Sequence, residues 1–161
     1  MTSSIPAANS AAPLLDVQYL QVNFVNGRQI TPAVRGISFQ LGKEKLAIVG
    51  ESGSGKSTVG RALLQLHPRT AQVTAQRMQF GNVDLLRASP AQMRAVRGKR
   101  ISMIMQDPKY SLNPVVRVGE QIAEAWRSHH PGQGNIARQR ALEMLEVVQI
   151  RDPQRVYQCY P

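Results

Sequence analysis

The chain has 161 residues, 42% hydrophobic and 19% charged, which suits one globular domain with a core and excludes a bilayer-embedded chain, since no apolar run approaches the roughly 20 residues that span a membrane. The net charge of +10 raises nucleic acid or an anionic surface as a partner, but Arg94, Arg97, Lys99 and Arg100 read better as solvated faces. Aromatics are only 5%, too few for a basic surface interleaved with base-stacking rings, so no nucleic-acid partner is expected. The one cysteine, Cys159, excludes an internal disulfide and suits a reducing compartment.

Residues 1–13, rich in Ser, Ala and Pro, lack the positive start and apolar centre of a secretory leader and read as a disordered tail. Val17, Tyr19, Leu20, Val22 and Phe24 place a strand over 14–24. Asn26-Gly27 signals a hairpin turn into a second strand through Val34, Ile37, Phe39 and Leu41. The apolar run Leu46-Ala47-Ile48-Val49 has the pattern of a buried parallel strand. A helix is expected from Lys56 to about Leu66, with Val59, Leu63, Leu64 and Leu66 facing the core, ended by His67-Pro68.

A strand over 76–80 and a turn at Gly81-Asn82 follow. Ser89-Pro90-Ala91-Gln92 has the form of a capping box, opening a short helix that reaches about Arg97 and ends at Gly98. Residues 101–105 read as a second buried strand, ending at Gln106-Asp107-Pro108. A helix over 118–128 would turn Ile122, Ala125 and Trp126 inward. After a loop over 129–134, Asn135 is placed to cap a last helix with Ala137, Ala141, Leu142, Met144, Leu145 and Val148 as its stripe. His129 and His130 have no further ligands in view and read as solvated loop rather than metal site.

Gly50-Glu51-Ser52-Gly53-Ser54-Gly55-Lys56-Ser57-Thr58, between the apolar run and the first helix, matches G-x-x-x-x-G-K-[ST]. Glycines let successive N–H groups turn into one concavity that suits phosphate oxygens, and the helix start adds its own N–H groups and dipole. Lys56 can reach the β- and γ-phosphates of ATP, Ser57 offers a hydroxyl to Mg2+, and Ser54 and Thr58 add hydrogen bonds. Gln106 ends a strand, and ligands of open α/β sheets sit beyond strand carboxyl ends, so it can face the γ-phosphate; a polar loop residue is the plainer alternative.

The phosphate loop, then Met105-Gln106-Asp107-Pro108, then Ser111-Leu112-Asn113-Pro114, resembles the ATP-binding subunit of ABC transporters, most closely the branch serving dipeptide, oligopeptide and nickel import. A P-loop kinase or GTPase fits less well, since Ser-Leu-Asn-Pro matches the transporter and no guanine-reading Asn-Lys-x-Asp occurs. The resemblance covers about residues 14–161. It implies an α/β fold: a P-loop NTPase core of the ABC ATPase type, with an N-terminal antiparallel β subdomain and the start of a helical subdomain, truncated. Residues 14–106 would hold the β subdomain and phosphate-loop core, and 107–161 the start of the helical subdomain.

The same resemblance matches Phe24 to the aromatic that stacks on adenine, although a core strand residue is the alternative. It matches Gln106 to the glutamine that touches Mg2+ and the attacking water. It places residues 107–118 on the surface that receives a coupling helix of the membrane partner. The implied cofactors are ATP and Mg2+. The implied partners are transmembrane permease subunits and a second ATP-binding subunit, at the cytoplasmic face of the inner membrane.

The family continues after Tyr-Pro with a Leu-Ser-Gly-Gly-type signature, a Walker B strand with its catalytic glutamate, and a switch histidine, none of which occurs in these 161 residues. ATP binding without turnover is therefore the expectation for this polypeptide, with a binding-only fragment docked on a membrane subunit as the alternative. The sheet would also lack strands beside 46–49 and expose an apolar face.

Overall fold

The computed structural model describes residues 12–106 and 111–161. Most of the expected tail, and Asp107 and Pro108 of the glutamine motif, lie outside them. The chain separates into two compact units, Met1–Arg94 and Ala95–Pro161.

The first unit is built on strand β1 (Leu15–Asn26), which pairs antiparallel with β2 (Gln29–Leu41) along its whole length. Gly27, at φ +59, takes the first position of the two-residue turn, so the Asn-Gly signal gives the hairpin expected. The other edge of β1 is shared. Its first half pairs with β4 (Arg77–Phe80) and its second half with β3 (Ala71–Thr74), while β5 (Val83–Asp84) extends the sheet from β4. Val17, Leu20, Val22, Val34, Met78 and Leu85 fill the core. Asp16, the one buried charge among the described residues, accepts from Arg77 Nε (3.0 Å) and from the Gln18 and Gln40 side chains. That pairing removes the cost of burying it.

Helix α1 (Lys56–Leu63) packs on β1 and β2 through Val59 and Ala62. It stops three residues before the expected Leu66, which is exposed. Gln65 sits at φ +50 in a Schellman closure, with Leu66 N–H donating to Arg61 O (2.8 Å) and Gln65 N–H to Ala62 O (3.0 Å). The Gln65 amide also donates to Leu85 O at 2.8 Å, so a tertiary bond holds the stop. Helix α2 (Pro90–Val96) carries the predicted capping box: Ser89 N–H donates to Gln92 Oε1 (2.8 Å) and Gln92 N–H to Ser89 Oγ (3.3 Å).

Two expected buried strands are absent. Residues 46–49 form no regular element, and Val49 is 91% exposed. Residues 102–105 form none either, and Ile104 is 94% exposed. A parallel strand exists only through a ladder to a neighbour. Among the described residues no strand pairs with 46–49, and Ile101 makes a single bridge to Arg97. The apolar pattern is present without its cover.

The second unit is a small helical cluster. Helices α3 (Val118–His129), α4 (Ala137–Val147) and α5 (Pro153–Gln158) enclose Ala123, Ala137, Ala141, Leu145 and the Tyr157 ring. Ala123, not Ala125, is the buried alanine of α3, while Ile122 and Trp126 pack against the core as expected. Met144 and Val148 leave the expected stripe for solvent. Asn135 lies in a 3-10 turn (Gly134–Ile136) rather than capping α4, whose first turn has no side-chain cap. Helix α5 is an addition to the sequence reading. Asp152 caps it by accepting from Arg155 N–H (3.1 Å), with Pro153 at its first position.

The Tyr157 hydroxyl donates to Glu120 Oε1 at 2.7 Å. That bond, with Arg127 beside it, holds the Glu120 carboxyl below its ordinary 4.5. Burial, then the same bond, pushes the Tyr157 phenol above 10.0. The carboxylate contribution is present above the unfolded pKa and lost as pH falls through the lower folded one. The phenol contribution is present below 10.0 and lost as pH rises through the higher folded value. Urea midpoints followed by Trp126 fluorescence should therefore differ most between the natural chain and Tyr157→Phe on the plateau between these limits, and the difference should shrink at both ends. A pH-independent difference would contradict the contact.

Candidate functional site

The phosphate-loop residues come together as one exposed loop between residue 50 and α1. Ser54 N–H donates to Glu51 O (3.2 Å), closing a turn that carries Ser52 and Gly53. Gly53 and Gly55 both have left-handed backbones, at φ +81 and +90. Gly55 caps α1, and a Cβ there would run into the carbonyl oxygen of Ala33 on β2. The loop is thus seated on the strand through a position that only glycine fits.

Lys56 folds back over the loop, its ammonium donating to Gly50 O and Glu51 O, both at 2.6 Å, and to Ser54 Oγ at 3.4 Å. The helical ladder starts with Val59 N–H to Gly55 O (3.0 Å), so the N–H groups of Lys56, Ser57 and Thr58 lie ahead of it. Helix start, ammonium and the hydroxyls of Ser54, Ser57 and Thr58 form a donor set that fits a polyphosphate. No group of three or more His, Cys, Asp or Glu among the described residues could hold a metal alone. The fit for Mg2+ is therefore the shared kind, a hydroxyl such as that of exposed Ser57 together with phosphate oxygens.

A cavity of about 460 Å³ opens beside the loop, between Gly50, Gly53, Ser54, Gly55, Lys56 and Val59 on one side and the β2 segment around Val34 on the other. The sequence reading did not include this β2 wall, in which Pro32, Ala33, Arg35 and Ile37 take part. No local signal marks it, because only the tertiary fold lays the strand against the loop. Phe24 is half-buried on β1, paired with Thr31 and Ala71, and does not line this cavity. Gln106 belongs to the second unit, where it is exposed.

A family model described as ABC transporter matches residues 34–159. The chain belongs to the ABC transporter family. It is 45% identical over 150 residues to the dipeptide transport ATP-binding protein DppD of Bacillus subtilis (strain 168), covering 92% of this chain and 45% of that protein. To the oligopeptide transport ATP-binding protein OppD of the same organism it is 41% identical, with 92% and 42% covered. This ABC transporter chain thus spans less than half the length of these curated relatives. Its fold is that of ABC cassettes: it is similar to the dimeric structure of MJ0796, a bacterial ABC transporter cassette, with a TM-score of 0.70, 20% identity, and 91% and 61% of the two chains covered. No helix among the described residues is long and apolar enough to cross a membrane.

Proposed function

We propose that this chain carries the MgATP clamp of an ATP-binding subunit serving a peptide importer. The single observation that carries the reading is the phosphate loop, with left-handed Gly53 and Gly55 and the Lys56 ammonium closed over it. On ATP binding, Lys56 exchanges the loop carbonyls for β- and γ-phosphate oxygens. The N–H groups that open α1 and the Ser54 and Thr58 hydroxyls receive the remaining oxygens. Ser57 would offer its hydroxyl to Mg2+, which when bound would neutralise the phosphates and keep them in place. Phe24 stacks on adenine.

The relatives named for dipeptide and oligopeptide transport favour peptides over nickel as cargo. Permease subunits and a second ATP-binding subunit complete the assembly at the cytoplasmic face of the inner membrane.

Calorimetric titration with MgATP tests the clamp. Lys56→Ala is expected to weaken binding by about ten- to a hundredfold, the range of a charge-assisted hydrogen bond. Equal affinity in the two chains would sink the proposal.

A further inference from the structure

We propose that Arg35 of β2 is a second cationic contact for the polyphosphate, an assignment that rests on the loop reading above. Arg35 lines the same cavity as Lys56, and the lining residues include these two cations and no acid. Arg35 is exposed, and its side chain makes no hydrogen bond or ion pair among the described residues. Lys56, by contrast, is satisfied by loop carbonyls.

The strand fixes where Arg35 stands. Its backbone pairs with Gln21 of β1, and the neighbouring Ala33 and Val34 are the atoms that a Cβ on Gly55 would meet. The residue is therefore held on a rigid element one step from the point where strand and phosphate loop touch. A cavity lined by two cationic residues and no acid favours an anionic occupant. A planar guanidinium fork suits phosphate oxygens in particular. A polyphosphate reaching out of the loop toward β2 satisfies both.

The test is titration of the full chain with MgATP and MgADP at low and high ionic strength. Arg35→Gln should weaken both nucleotides about tenfold at low salt, the size of one charge-assisted contact, and Arg35→Lys should recover part of the loss. The salt dependence of binding should be shallower in Arg35→Gln than in the natural chain. If Arg35→Gln binds within twofold of the natural chain while Lys56→Ala is weakened, the Arg35 assignment falls and the loop reading stands. Equal salt dependence in the natural chain and Arg35→Gln also overturns it. If the natural chain binds neither nucleotide, both readings fall.

Discussion

Gly55→Ala is expected to destabilise the first unit by about 2–5 kcal/mol and to reduce MgATP affinity by at least about tenfold. Two costs add. At φ +90 a residue with a Cβ is strained whatever surrounds it. The new methyl would also meet the carbonyl oxygen of Ala33, which belongs to the strand backbone and cannot swing aside as a side chain could. Loop or strand must move, and either movement opens the seat on which Lys56 and the start of α1 depend. Gly53→Ala separates the two costs. Gly53 is at φ +81 with open space around it, so only the backbone term of about 1–2 kcal/mol should appear. Denaturant unfolding of the two variants, with MgATP titration alongside, checks the order. Equal effects would mean that the contact with β2 is unimportant.

Gly119→Ala is expected to destabilise the second unit by about 2–4 kcal/mol, against the rule for helices. Gly119 is the second residue of α3, and within helices alanine is favoured over glycine by up to about 1 kcal/mol. Propensity alone therefore predicts a gain. The added Cβ, however, would overlap the Tyr157 ring, which rests on the bare backbone at this point. The ring is buried and its hydroxyl is tied to Glu120, so it cannot tilt away without leaving the core. Removing the ring should reverse the sign: in a Tyr157→Ala background, Gly119→Ala should be neutral or stabilising. Trp126, the sole tryptophan, reports unfolding of this unit directly. Destabilisation of the same size in both backgrounds would show that the ring is not the cause.

These two glycines mark the limit of what the sequence discloses. Gly55 was legible because the loop motif prescribes it, whereas Gly119 carries no signal, since its need arises from a ring 38 residues away across the fold. Local chemistry was readable wherever it acts within a few residues. The Asn26-Gly27 hairpin and the Ser89–Gln92 capping box both form. The Asp152-Pro153 start of α5 is local chemistry of the same kind. Helix ends held by glutamine were not readable, because Gln65 and Gln149 take the left-handed place that usually signals itself as glycine. The apolar runs at 46–49 and 101–105 mislead for another reason: hydrophobicity reports that a strand would be buried if covered, and pairing decides whether it is one. In the site, the glycine-rich loop was legible as a conformation, with Gly53 and Gly55 left-handed. Its β2 wall, with Arg35, was not, because adjacency of strand and loop is tertiary.

Hydrogen exchange of the backbone amides, with and without saturating MgATP, tests the central claim most directly. If residues 50–58 hold the polyphosphate, exchange should slow at the amides of residues 53–58, where the N–H groups ahead of the α1 ladder gain acceptors. The α4 and α5 amides of the second unit should remain unchanged. Saturable binding that leaves residues 53–58 unprotected, or protects only α4 and α5, would contradict the account.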